Sequence, residues 1–402
     1  MRIGVIVHGR FHAFDLVREL LQRGHDVSLF TNYPKFAVRR FGVADANIHS
    51  FRLHGVLNRL VDQLPVKRES ARAESWLHTV FGRWAASQAL ARGPWDAVVC
   101  WSGVGEETFQ ALSRRNTLLI CHRSSSHIRA QASLLREEEE RVGWPIERPT
   151  DWIIAREERE YALADVIYVP STFSEQTFLS LGISPGRVAR IPHGVSAKAF
   201  RPESDVVQER RARILSGAPL HVLNVGTFSF RKGMWDMSAI IRKVGRRFRF
   251  RFVGPVAAEC AGLAEELRDQ ATFIGPQAQQ DLPRYYAWGD MFLLPTIEDG
   301  FPFVLAQAAA AGLPILTTPN GAGGDLVCEG KTGWVLPIRS PLAFIERLHW
   351  CDTHREELAA MTEHIHTHFQ LHDWTDTARS FEALCETRLA ARKQSRFQVS
   401  NG

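Results

Sequence analysis

The stretch PTIEDGFPFVLAQAAAAGLPILTT, Pro295 to Thr318, sets two carboxylates and a glycine in front of an alanine-rich apolar run. Pro302 suits the first turn of a helix, and Gly312 followed by Pro314 stops it. Asp299 and Gly300 then fall at the helix mouth, with Gln307 about one to two turns further in. A carboxylate and an amide so placed could hold the vicinal hydroxyls of a sugar or a ribose. The structural alternative is that Asp299 caps the helix and Gln307 satisfies buried backbone. A second stretch, GTFSFRKG at Gly226 to Gly233, puts Arg231 and Lys232 just before a helix, where side-chain charge and helix dipole add for a phosphate. It does not match GxxxxGK[ST], so it is not a P-loop. A third, HGRF at His8 to Phe11, lets the backbone approach a ligand at Gly9 and offers free N–H groups to an anion. It lacks GxGxxG, which argues against a nicotinamide dehydrogenase.

The elements that position these turns alternate in type. RIGVIV reads as a buried strand and FHAFDLVRELLQRG as an amphipathic helix stopped at Gly24; HDVSLFTN is the next strand. WDAVVCWS, NTLLICH and DVIYVPS continue the series, with helical segments between them. The pattern restarts at LHVLNV and runs through FRFRFVGP, ATFIGP, DMFLLPT, the Pro295–Thr318 stretch and GWVLP. Parallel strands need such crossovers, so the expected fold is α/β, with two Rossmann-like, doubly wound parallel-sheet domains facing across a cleft. Residues 1–195 form the first domain, 196–216 a polar linker and 217–375 the second. A C-terminal helix over about 376–395 is free to pack back on the first domain.

Composition bounds the function. Of 49 Lys and Arg against 44 Asp and Glu, 26 basic and 21 acidic residues fall in 1–200, so the excess of +5 sits in the N-terminal half. That bias suits acidic small molecules or anionic lipid heads. No dense basic cluster with interleaved aromatics points to nucleic acid. Six scattered cysteines with no CxxC pair read as reduced, buried thiols. No metal-ligand spacing is present. The apolar start, MRIGVIVHG, is short for a signal peptide, and no run approaches the roughly 20 apolar residues of a membrane span. A cytoplasmic protein is expected, with peripheral contact at the inner membrane face left open.

These residues carry a family resemblance over almost the whole chain. DGFPFVLAQAAAAGLPILTT, GTFSFRKG, ADVIYVPSTF, IPHGVSAKAFRP and GHDVSLFTNYP resemble the motifs of the retaining, nucleotide-sugar-dependent glycosyltransferases of family 4, with the GT-B fold. The resemblance implies that Asp299 contacts the transferred sugar and Gln307 the nucleotide ribose. It implies that Thr227 and Lys232 meet the diphosphate, and that Gly9 lies under the donor phosphates. Thr227 lacks the charge usual in the family, and Arg231 stands next to Lys232 to supply it. Ile274, Gly300, Phe301, Phe303 and Val304 complete the implied donor site. Glu298 does not replace Asp299 in the motif, because Ala306 lies eight residues on. A family histidine beside the transferred sugar falls on His127 or His122, both in ICHRSSSHI, with RSSSHI favouring His127.

The implied activity is retaining transfer of a sugar from a nucleoside-diphosphate sugar, the co-substrate, to a sugar, lipid-linked or other hydroxyl acceptor, with no cofactor and no metal. Such a step serves polysaccharide, glycolipid or glycoconjugate synthesis. The rivals are a non-catalytic sugar-nucleotide-binding scaffold of the same fold and a nucleotide-sugar epimerase. Residues 66–92 add a membrane question: Trp76, Val80, Phe81 and Trp84 recur at helical spacing beside Lys67, Arg68, Arg72, Arg83 and Arg92. A basic helix with an aromatic face can lie on an anionic bilayer; the alternative is a core-facing helix with a solvated basic back.

Overall fold

The structure, a computed structural model, describes residues 1–61, 67–196, 198–370 and 372–400. The first sheet comprises β1 (Arg2–Val7), β2 (Asp26–Thr31), β3 (Ile48–Ser50), β4 (Ala97–Trp101), β5 (Leu118–His122), β6 (Val166–Val169) and β7 (Val188–Arg190). Its strands lie in the order β3-β2-β1-β4-β5-β6-β7, and every pair is parallel. The second sheet comprises β8 (Leu220–Val225), β9 (Phe248–Val253), β10 (Ala271–Ile274), β11 (Met291–Leu294), β12 (Ile315–Thr317) and β13 (Gly333–Val335). Its order is β10-β9-β8-β11-β12-β13, again all parallel. Both sheets reverse direction of winding beside their first strand, and ligands of such sheets bind at that switch, beyond the strands' carboxyl ends.

Each sheet is covered on both faces, because alternate residues of a strand point opposite ways. Ile3, Val5 and Val7 face the helix Ala13–Gln22, while Ile6 faces Phe30, Phe81 and Trp95 on the other side. In the second sheet Val222 and Leu293 join one core, and Leu223, Phe292 and Leu294 the other. The helix Lys67–Arg92 turns Leu77, Phe81, Ala85 and Ala89 inward, and Trp84 packs on Phe51 and Phe81. Phe81 and Trp84 of the aromatic face read from the sequence therefore belong to the first domain's core. Trp76 stays exposed, and the side chains of Lys67 and Arg68 lie outside the described residues.

The chain ends where it began. The helix Trp374–Ser400 buries Trp374, Ala378, Phe381 and Cys385 in the same core as β1 and the helix Ala13–Gln22. Arg23 pairs with Glu382, and Arg392 donates to the carbonyl of Thr117 at 2.7 Å. Gly194 has no room for a side chain, since a Cβ there would stand 2.3 Å from the amide nitrogen of Trp374. The C-terminal segment thus staples the second domain to the first. Emptying the Phe381 site with Phe381→Ala should cost about 3–5 kcal/mol, whereas the more exposed Glu382→Ala should cost less than about 1. Urea denaturation measures both.

Candidate functional site

A cavity of about 680 Å³ opens between the domains. It is bounded by the residues just past the strand ends: His8 after β1, Ser102 after β4, Arg123 to Ser125 after β5, and Gly226 with Thr227 after β8. The volume falls in the range of small-molecule sites. Buried Glu160 shapes the wall after β4, accepting hydrogen bonds from the amides of Gly103, Gly105 and Glu106 at 2.6, 2.8 and 3.1 Å. Burial nevertheless pushes its carboxyl up to about 8.

The two sides of the cavity meet at Glu298. It is fully buried and stands at the end of the turn after β11. From the first domain, Ser125 and Ser126 each donate a hydroxyl at 2.6 Å, and Gln131 donates its amide at 3.0 Å. From its own domain, Arg231 donates from Nε at 2.9 Å and reaches 2.7 Å through Nη2. Burial alone would raise this carboxyl, but Arg231 and the two serine hydroxyls outweigh it and hold the group at about 2. Next to it, Gly300 abuts the Ser124 carbonyl so closely that a Cβ would lie 1.9 Å from that oxygen. Only a residue without a side chain lets the domains touch there.

Asp299 is paired with Lys232, and its Oδ1 also accepts from the Phe301 amide at 3.2 Å. Phe301 precedes the helix Phe303–Ala310, whose N-cap is Pro302 with no side-chain cap, so Asp299 closes the turn and does not cap the helix. Asp299, Thr227, Arg231, Lys232, Phe301, Phe303 and Val304 all border the cavity. Phe303 opens the helix Phe303–Ala310 and lies against two first-domain rings, 4.0 Å from His12 and 5.5 Å from His193. Arg231 does not stand free for a phosphate, because it is bound to Glu298. Each of the three cations on the cavity wall has a carboxylate: Arg123 meets Glu157 at 3.0 Å, Arg231 meets Glu298, and Lys232 meets Asp299.

Other sequence candidates lie elsewhere. His127 caps the helix Ile128–Val142 and is packed between Tyr161 and Phe178, with ring distances of 5.0 and 4.8 Å, so its ring faces the first domain's interior. His122 is sealed under Trp101 and Tyr168; it meets Ser124 of the cavity wall at 3.0 Å and the His193 ring at 5.2 Å. Neither borders the cavity, whereas His8, His12, His78 and His193 do. Burial is the largest cause lowering all four, with His8 near 3, His12 and His78 near 4 and His193 well below its usual value. They are neutral at neutral pH. Gln307 is buried against Tyr286, whose hydroxyl donates to it at 2.9 Å, and Ile274 packs in the second domain's core. Gly9, at φ 105°, donates its amide to Asn32 at 2.9 Å and borders a neighbouring cavity instead.

The sequence reading missed Glu298, Ser125, Ser126, Gln131, Arg123 and His193 as parts of this assembly. The serine run and the Glu298-Asp299 pair were the available signals, but their pairing spans 173 residues and is set by domain packing.

Comparisons with known proteins follow the same division. Residues 10–198 match the model of Glycosyltransferase Family 4, and residues 219–351 match that of Glycosyl transferases group 1. The GDP-mannose-dependent alpha-(1-6)-phosphatidylinositol monomannoside mannosyltransferase of Mycobacterium tuberculosis is 27% identical over 190 residues, 44% of this chain and 49% of that protein. The D-inositol 3-phosphate glycosyltransferase of Corynebacterium glutamicum is 26% identical over 56% of this chain and 58% of its own length. The chain spans about half the length of the curated relatives it matches. Among solved structures, sucrose-phosphate synthase from Thermosynechococcus elongatus superposes with a TM-score of 0.68 at 18% identity, covering 97% of this chain and all of that one. Anabaena HepE in complex with UDP gives 0.67 at 13% identity, over 96% and 100%. The fold is GT-B.

The clamp and the neutral histidines predict an acid-sensitive fold. The lowered histidines make the unfolded chain the better proton acceptor below about 6.5, so stability falls as pH drops through that value. The Glu298 contribution is complete above about 4.5 and is lost as pH falls toward about 2. Glu298→Ala should cost about 3–5 kcal/mol at neutral pH, since it leaves Arg231 without its partner. It should also flatten the lower part of the profile. Urea midpoints taken from pH 7 to pH 3 test both statements.

Proposed function

We propose that this chain, which belongs to the family 4, group 1 glycosyltransferases, moves a sugar from a nucleoside-diphosphate sugar to a hydroxyl acceptor with retention of configuration. The observation that carries the reading is the Lys232–Asp299 pair on the wall of the interdomain cavity, beyond the strand ends where such folds bind ligands. Lys232 precedes the helix Met234–Val244, so an incoming diphosphate meets its ammonium and the helix N-terminus together. Gly226 and Thr227 leave the approach open after β8. As the diphosphate takes Lys232, Asp299 is released toward the sugar. HepE has been solved with UDP-glucose, and starch synthase IV of Arabidopsis thaliana with ADP and acarbose, which supports the donor class by analogy of fold.

The chemistry fits the carboxylates present. A glycosidase needs two carboxyl groups free to act as acid and base or nucleophile. Here the cavity's Glu157 and Asp299 are each held by a cation among the described residues. The leaving diphosphate is then the group placed to accept the acceptor's proton, while Lys232 and the backbone stabilise its growing charge. The acceptor is a sugar or a lipid-linked hydroxyl compound, and the work belongs to glycoconjugate synthesis on the cytoplasmic side, where nucleotide sugars are made. The reaction as proposed uses no metal, so it should survive excess EDTA.

A thermal-shift series with UDP, GDP and ADP and their sugars tests the donor site, because a ligand of the folded state raises the melting temperature. Lys232→Ala should weaken the responding nucleotide at least about tenfold. Asp299→Asn should act in opposite directions: it frees Lys232, tightening the nucleoside diphosphate by roughly fivefold, and it slows release of nucleoside diphosphate from the sugar donor. Nucleotide binding without any such release would instead mark a non-catalytic sugar-nucleotide-binding protein.

A further inference from the structure

The helix Arg355–His368 ends in HIHTH, His364 to His368. The sequence reading passed over this pattern, because the spacing of its histidines matters only once the segment is helical. On a helix, residues four apart stand one above the other on a single face. His364 and His368 do so. Their rings stack at 4.5 Å between centroids with 20° between the planes, and both residues are exposed. His366 falls off that face and is half-buried, with its Nδ1 enclosed and without a partner.

The His368 ring is already fixed in orientation. Its Nδ1 lies 3.1 Å from the His364 carbonyl oxygen and 2.7 Å from the Thr367 hydroxyl. A carbonyl oxygen only accepts, so Nδ1 carries the proton and Nε2 keeps its lone pair. The Thr367 hydroxyl donates to the Glu363 carbonyl at 2.9 Å and so accepts from His368. Histidine ligands are commonly held in this way, with one ring nitrogen donating to a backbone carbonyl and the other facing the metal. The His364 ring has no hydrogen bond among the described residues, so it can turn a nitrogen to the same ion. Histidines at i and i+4 on one helix face are also the spacing at which helical zinc motifs present their imidazoles.

The surroundings admit a cation. The pair stands at a helix C-terminus, where unpaired carbonyls and the helix dipole give partial negative charge. Two arginines near this turn are both engaged: Arg201 donates to the His366 carbonyl at 3.0 Å, and Arg211 pairs with Glu363 at 3.1 Å. Among the described residues no third His, Cys, Asp or Glu joins the pair. The protein therefore supplies two ligands and water the rest, which makes an open, exchangeable site and not a closed structural one. Imidazole donors select zinc, nickel and copper over magnesium and calcium, which prefer oxygen.

The site is remote from the interdomain cavity, which neither histidine borders. It lies where the chain leaves the second domain. The His372 carbonyl accepts from the Val195 amide at 3.1 Å, and the helix Trp374–Ser400 begins two residues later. Arg201, on the linker, holds the same turn. We propose that His364 and His368 form an exchangeable site for a transition-metal dication of the zinc, nickel or copper type, which clips the last turn of the helix Arg355–His368 where the chain crosses back to the first domain. The site is independent of the transferase reading and of the donor residues.

Calorimetric titration of the untagged chain, stripped with EDTA and then freed of it, tests the site with zinc, nickel and magnesium chlorides. Zinc and nickel should bind and magnesium should not. His364→Ala and His368→Ala should each weaken the ion at least about tenfold, since losing even an outer partner of a ligand costs that much. His349→Ala, which removes an exposed histidine with no other three or four residues away, should leave the affinity unchanged. Zinc should raise the melting temperature of the intact chain and not that of the double variant His364→Ala/His368→Ala. Both changes are on the surface, so the double variant should fold and keep any thermal response to nucleoside diphosphate. No binding by the intact chain, an affinity no better than that of free imidazole, or the same affinity in the double variant would each overturn the proposal.

Discussion

The ion pair between Glu298 and Arg231, shared with Ser125, Ser126 and Gln131 of the other domain, is the constraint on which the rest of the cleft depends. A carboxylate taken wholly out of water is costly unless its oxygens are saturated by charge and hydrogen bonds. Two serine hydroxyls, one amide and one guanidinium do this, and three of the four donors appear only when the domains meet. The cost of burying Glu298 is therefore offset only in the closed arrangement. That makes the pair a device for fixing the domain geometry as well as a contact within it. Asp325 repeats the theme at a second point, accepting from the Thr172 amide at 3.0 Å and pairing with Arg190 at 2.9 Å.

Fixing this geometry has consequences for chemistry. With Arg231 committed to Glu298, the cation that remains beside the open cavity with an exchangeable partner is Lys232. Its partner Asp299 is attached to the turn that Glu298 anchors, so the clamp and the proposed donor site are adjacent residues with separate duties. The neutral histidines around His8, His12 and His193 make the opposite wall polar without adding charge that would compete for the diphosphate. Phe303 closes the floor by stacking near parallel to His193, with 11° between the rings.

Much of this was legible in the sequence, and the reasons for the rest are physical. The buried strands, the helix bounded by Pro302 and Gly312, and the turns after β8 and β11 follow from local pattern, which places Lys232 and Asp299 beyond strand ends, while Phe301 and Phe303 enter through the family resemblance. The edge strands β3 and β7 were not, because three residues each are too few to show a period. The duties of Glu298 and Arg231 were missed because they depend on a partner 173 and 106 residues away. The surroundings of His127 and His122 were hidden for a related reason: only the packing of Tyr161 and Phe178 turns the first ring inward, and only Trp101 and Tyr168 cover the second.

Hydrogen–deuterium exchange with and without UDP, GDP or ADP tests the central claim most directly. The account predicts that one of these nucleotides slows exchange in two segments together, residues 226–233 and 299–307, on facing turns of the second domain. Protection confined to other segments, or none with any of the three, would contradict a donor site at Lys232 and Asp299.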